Sequence, residues 1–288
     1  MNYCRRFNPR QLWWHRAAII FTIAIVAGCD SNQPAVDRLE VPDNSVQVDV
    51  STPTEAPEMK REKLVLKSGT VADYALYIPE GYVADQPRPL ILGLHFGGRA
   101  QPAYGQAILD ALVIPGLGEL GAIMVAPVSI DGRWNTDANQ AAIFEILDYV
   151  ESQYSIDSDR VLVTGFSMGG QGTWDTAAAN QQRFSAAIPV AGRIPANPDI
   201  QWEIPLYIIN SKADEVIPFE MAKQYAEDIE ADGANVTFHA VDDLPHFQTG
   251  RFSVPLKEAV PWVREIWGLD SLKEDSASGE STDTTSGQ

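Results

Sequence analysis

The feature that most constrains this chain is an alternation of short apolar runs with longer amphipathic stretches. The runs are "PLILGLHF", "AIMVAPV", "RVLVTGF", "AAIPVAG", "PLYIIN" and "NVTFHAV". Continuous apolar runs of this length read as strands buried on both faces, the condition of a parallel sheet covered by helices. Between them, "TDANQAAIFEILDYVESQY" sets Ile143, Ile146, Leu147, Val150 and Tyr154 on one helical stripe, with Thr136 or Asp137 placed to cap it. "FEMAKQYAEDIEADG" sets Met221, Tyr225 and Ile229 on one face and stops near Gly233. An early strand, "DYALYIPE", comes before the first buried run and reads as antiparallel. This alternation predicts an α/β fold with a doubly wound, mostly parallel sheet. Functional side chains in such sheets collect beyond the carboxyl ends of the strands.

The same pattern bounds the folded domain to residues 63–269. Residues 29–62 carry recurrent Pro, Ser, Thr and acidic residues without a stable apolar period and are expected to form a flexible acidic tether, with "NSVQVDVST" its one strand-like stretch. Residues 270–288 are polar and of low complexity, a disordered acidic tail by composition. The first 28 residues differ from both. Arg5, Arg6, Arg10 and Arg16 precede an apolar run from Ala17 to Ala27, too short for a transmembrane helix and of the length of a signal-peptide core. The run closes on "IVAGC", which resembles a bacterial lipoprotein signal. That resemblance implies cleavage ahead of Cys29, lipidation of Cys29, and a domain held to a cell-envelope membrane by this anchor alone, on its periplasmic or extracellular side. An ordinary signal peptide or an uncleaved anchor is the alternative. Cys4 and Cys29 are the only cysteines, so the mature chain has no internal disulfide. Loss of the signal arginines takes the net charge from −18 to about −22, which argues against nucleic acid as a partner.

The chemistry centres on "RVLVTGFSMGGQGTWD". Gly165, Ser167 and Gly169 satisfy G-x-S-x-G directly after a β-branched strand and before a helix-compatible segment. A serine on so sharp a turn needs small neighbours two positions to either side, and the turn aims the amide of Met168 at a developing oxyanion. A serine nucleophile requires a base. Of four histidines, His15 falls in the signal and His239 lies on a strand, on its outer face by alternation. His246, in the loop "DDLPHFQTG", is the expected general base. Asp214, beyond the end of "PLYIIN", is the expected partner of that imidazole, ahead of Asp242 and Asp243. "GLGELG" satisfies G-x-G-x-x-G but precedes its strand instead of following it, so it reads as a turn and not as a dinucleotide fingerprint. No metal or organic cofactor is implied.

With "LHFGG", "DSDRVLVTGFSMGG", "SKADEVIP" and "LPHF", the domain resembles the α/β-hydrolases over most of residues 63–269. Within them it is similar to the secreted esterase and depolymerase group of feruloyl esterases, polyhydroxybutyrate depolymerases and prolyl-oligopeptidase-like esterases. The resemblance implies a serine esterase acting through an acyl-enzyme, with Ser167, Asp214 and His246 as triad and Met168 with Phe96 or Gly97 as oxyanion donors. Phe96 stands where that group commonly has glycine. His95 and Trp134 are expected to line the substrate site, though Trp134 reads equally well as packing. Only about a dozen residues separate "AIPVAG" from "PLYIIN", too few for a large cap domain, so small-molecule or polymeric esters are expected at an open site. A serine peptidase of prolyl-oligopeptidase type would use the same triad. A non-catalytic lipoprotein keeping the fold as a binding module is the reading from another class.

Overall fold

Each apolar run becomes a strand of one sheet in the computed structural model, which describes residues 53–195 and 197–269. The strands are β1 (Glu58–Val65), β2 (Val71–Ile78), β3 (Arg88–Leu94), β4 (Ile123–Pro127), β5 (Ile156–Phe166), β6 (Ala186–Val190), β7 (Leu206–Ser211) and β8 (Val236–Val241). The helices are α1 (Tyr104–Ile108), α2 (Ile114–Leu117), α3 (Asp137–Gln153), α4 (Met168–Ala179), α5 (Phe219–Ala231), α6 (Ser253–Lys257) and α7 (Val260–Ile266). The sheet order is β1-β2-β4-β3-β5-β6-β7-β8. β1 and β2 pair antiparallel and so do β2 and β4, while the six strands from β4 to β8 run parallel.

Alternate residues of the buried strands feed two cores. On one face Leu90, Leu92 and Leu94 of β3 pack with Ile143, Ile146, Leu147 and Val150 of α3, Trp174 of α4 and Tyr225 of α5. On the other, Ile91 packs with Leu109, Leu112, Leu117, Phe252, Leu256 and Val263. Ile143, Ile146, Leu147 and Val150 of the expected stripe are buried, Tyr154 lies just past the helix end and is half-buried, and the Thr136 hydroxyl caps α3 by accepting from the Asn139 amide (3.4 Å). α5 ends beside Gly233, whose φ of 97° suits glycine.

The structure departs from the sequence reading in four places. β1 begins at Glu58, five residues inside the stretch read as tether, because pairing along β2 orders a strand whose own residues are mostly exposed. Met221 is half exposed, and the buried face of α5 is Ala222, Tyr225, Ala226 and Ile229 instead. α1, α2, α6 and α7 were not read from the sequence. They are short, and α6 and α7 cover the face of β8 that alternation assigned to solvent. His239 there meets the Tyr207 hydroxyl (3.0 Å) and Glu258 (3.5 Å). "GLGELG" forms the end of α2, a single 3-10 turn and Gly121 at φ 64°, ahead of β4. The β6–β7 connection is residues 191–205, with no cap domain within it. The signal segment, Cys29, the tether up to residue 52 and the 270–288 tail lie outside the described residues.

From β3 the chain steps to β4 on one side and then to β5 on the other, so strand order reverses between β3 and β5. Leu94 pairs with Gly165 at the carboxyl end of this switch, which sets the segment after β3 beside the segment after β5. Ser211 pairs with Val241 at the ends of β7 and β8. The loops that follow all four strands therefore open on the same edge.

Candidate active site

Ser167 joins β5 to α4 with φ 57° and ψ −112°. A non-glycine residue so placed is strained by roughly 1–3 kcal/mol and persists only where its surroundings enforce it. Here the Ser167 amide donates to the Val190 carbonyl (3.0 Å), and the Ser167 carbonyl accepts from the Gln171 amide (2.9 Å). The flanking glycines are a packing requirement. A Cβ on Gly169 would collide with the Leu94 carbonyl oxygen, and one on Gly165 with the Gly169 carbonyl oxygen. β3, β5 and α4 meet at the serine with no room for side chains.

Two loops bring the other groups to it. Asp214 follows β7, and its Oδ1 accepts from the amides of Val216 (2.8 Å) and Ile217 (2.7 Å), which fixes the carboxylate in a tight turn. Its Oδ2 lies 2.8 Å from His246 Nδ1, and His246 Nε2 lies 2.7 Å from Ser167 Oγ. An ionised carboxylate only accepts, so Nδ1 carries the proton and Nε2 is left to accept from the serine hydroxyl. The Asp214 and His246 side chains are almost wholly enclosed. Burial by itself would raise the Asp214 carboxyl, but the bonds from His246, Ile217 and Val216 outweigh it, and the pKa is lowered. A serine hydroxyl held against a neutral imidazole nitrogen can give up its proton as it attacks.

Four residues that sequence reasoning passed over support this geometry. Glu215 accepts from the His246 amide through Oε2 (2.9 Å), so the residue after the buried acid clamps the histidine's backbone. The Ser211 hydroxyl accepts from Ala213 (3.2 Å) and Leu244 (3.1 Å), tying the β7 loop to the β8 loop. Phe166 lies under the imidazole at 5.3 Å, and Phe247 meets its edge at 5.4 Å with 79% of its own surface exposed. A side chain at the close of a strand or next to a loop histidine carries no periodic signal, which hides such contacts from the sequence.

Met168 opens α4, where amides lack an intrahelical acceptor and the helix dipole is positive. Phe96 and Gly97 follow β3, and a Cβ on Gly97 would stand 3.6 Å from Met168 Cβ, so the two segments are neighbours. His95 differs from the expectation that it lines the substrate site. His95 is fully buried, and its Nε2 accepts from the Ser129 amide (3.0 Å), which leaves Nδ1–H to donate to the Phe96 carbonyl (2.7 Å). Burial pushes its pKa down to about 4, against the smaller opposing effect of the Phe96 bond. The imidazole is thus a neutral strut under the β3 loop. Trp134 is 2% exposed, donates from Nε1 to the His95 carbonyl (3.0 Å) and stacks edge-on to the imidazole at 4.8 Å. Its ring is interior packing that backs the loop and forms the inner wall of a small cavity.

Residues 130–249, which hold Ser167, Asp214 and His246, match the family model described as Dienelactone hydrolase family. A protein described as "Probable feruloyl esterase C", from Aspergillus niger, is 29% identical over 160 residues, 54% of this chain. The chain spans 59% of that relative's own length, under two thirds of it. Among solved structures, a thermostable esterase superposes with a TM-score of 0.61 at 22% identity, covering 72% of this chain and 62% of the other. A ferulic acid esterase superposes with a TM-score of 0.60 at 16% identity, covering 74% of this chain and 99% of the other. The chain has the α/β-hydrolase fold.

Proposed function

We propose that this chain is a serine hydrolase of carboxylic esters that works through an acyl-enzyme. Ser167 Oγ attacks the ester carbonyl while His246 Nε2 takes its proton, and Asp214 holds the imidazole tautomer and stabilises the imidazolium. The amide of Met168, with that of Phe96 or Gly97, receives the oxyanion; one such donor is typically worth about 3–4 kcal/mol of transition-state stabilisation. The imidazolium then gives its proton to the departing alcohol, and water repeats the sequence in reverse to free Ser167.

The observation that carries this reading is the unbroken hydrogen-bonded chain from Ser167 through His246 to Asp214, built on a serine held at positive φ. The esterase names of the relative and of the two structural neighbours favour ester over amide, and make feruloyl esters the first substrates to try. Lipid attachment at Cys29 is a second part of the proposal, supported by "IVAGC" alone and tested by metabolic labelling of the full chain with a fatty acid.

Ser167→Ala is expected to lower turnover of p-nitrophenyl acetate by at least about four orders of magnitude. Unchanged turnover in that variant would sink the proposal. Cleavage of aminoacyl amides at rates matching esters would replace it with the peptidase reading.

A further inference from the structure

The base of the triad follows the last strand of the sheet. β8 pairs with β7 alone, so the segment after it has a strand neighbour on one side only. The loop after β7 holds that segment in place. The Lys212 amide donates to the Val241 carbonyl (2.8 Å), and the Ser211 hydroxyl accepts from the Leu244 amide (3.1 Å). Pro245 then has no N–H to give. The next donor is the amide of His246 itself, and it ends on Glu215 Oε2 at 2.9 Å.

Neither water nor Asp214 is placed to take over that amide. His246 is 3% exposed, so an unpartnered N–H there would carry the cost of a buried donor. Both oxygens of Asp214 are engaged, Oδ1 by the amides of Val216 and Ile217 and Oδ2 by His246 Nδ1. Two adjacent carboxylates thus divide the histidine between them. Asp214 holds the ring, and Glu215 holds the backbone from which the ring swings. A single bond at Nδ1 would leave the imidazole free to pivot about Oδ2. A second bond on the far side of the Cα–Cβ bond removes that freedom and keeps Nε2 at 2.7 Å from Ser167 Oγ.

We propose that Glu215 is a positioning residue of the reaction, acting through the His246 amide to keep Nε2 on the serine while the proton moves. This rests on the esterase reading above. Its part is that of an acceptor more than that of a charge, because Glu215 is itself exposed and water screens its carboxylate. The effect falls on rate and not on binding, since His246 carries the proton in both acylation and deacylation.

The test is made on the full chain as wild type, Glu215→Ala, Glu215→Gln and Lys212→Ala. Rates on p-nitrophenyl acetate are taken per fluorophosphonate-titrated site, so unfolded protein is not counted. Glu215→Ala is expected to lower kcat about ten- to hundredfold, the cost of a misplacement near 1 Å, with KM within about twofold. Glu215→Gln keeps an acceptor at the same reach and is expected to recover kcat to within about threefold of the wild type. Lys212→Ala removes only an exposed ion pair to Asp242 between the same two loops, and its kcat should stay within about twofold. The proton on His246 Nδ1 gives a second reading that needs no turnover. In 15N-histidine protein its low-field resonance should exchange with water about tenfold faster in Glu215→Ala and at nearly the wild-type rate in Glu215→Gln. A wild-type kcat in Glu215→Ala, a loss that Gln does not recover, an effect confined to KM, or an equal loss in Lys212→Ala would overturn the assignment. So would unchanged exchange of the Nδ1 proton in Glu215→Ala. A wild type that turns over no ester and resists the fluorophosphonate removes the esterase reading, and the Nδ1 proton then decides alone whether Glu215 positions His246.

Discussion

Burial alters the proton affinity of Asp175, on α4, and of His95, after β3, in opposite senses. Folded Asp175 holds its proton up to about pH 6, whereas an unfolded aspartate releases it near pH 4. The native state therefore binds more protons across that window, and the contribution of Asp175 to stability is lost as pH rises through about 6. Asp175→Asn is expected to stabilise the fold by on the order of 2 kcal/mol at pH 8 and by little at pH 4, read from urea midpoints at the two pH values. His95 runs the other way. Its folded pKa of about 4 lies below the usual histidine value, so the stability it gives is complete above about pH 6.5 and is lost as pH falls toward 4. The expected loss is on the order of 3 kcal/mol, and His95→Gln should flatten that acid limb of the urea midpoint against pH. A limb as steep as that of the wild type would show that other groups cause it.

The decisive element is the β5–α4 junction, where "GFSMGG" becomes a turn that no larger residues could make. Gly169→Ala would press a methyl into the Leu94 carbonyl at the end of β3. It is expected to destabilise the protein by more than about 3 kcal/mol or to leave it insoluble, measured by thermal unfolding and soluble yield. An alanine variant melting within a degree of the wild type would show that the three elements are not packed as described. This junction was legible in the sequence because glycine spacing, a β-branched run and a helix start all point to one conformation. The parallel strands and the stripe of α3 were legible for a related reason, since burial on a fixed period leaves a pattern. β1, α6 and α7 were not. β1 is ordered by pairing with β2 more than by its own apolar residues, and α6 and α7 are shorter than the window over which a helical period can be counted. His95 misled for a physical reason as well: a histidine beside a catalytic loop reads as a ligand contact until two backbone partners are seen to occupy both its nitrogens.

At the scale of the molecule, the site exists because one sheet edge gathers the ends of β3, β5, β7 and β8. Ser167 and His246 are 79 residues apart in the chain and meet only through the parallel register of β5 to β8. The order Ser167, Asp214, His246 could be read from the sequence, whereas the clamp from Glu215 needed the loops in place. Because no local segment holds the site, nucleophilic reactivity should vanish with the fold as a whole. The central claim is that this sheet edge makes Ser167 a nucleophile. Its most direct measurement is the mass of the protein after exposure to a fluorophosphonate, with the modified peptide mapped and the reaction repeated across a urea titration. One adduct is expected, on Ser167, lost at the same urea concentration as far-ultraviolet circular dichroism and absent from His246→Ala. No adduct on the folded protein, or an adduct on a different residue, would contradict the account.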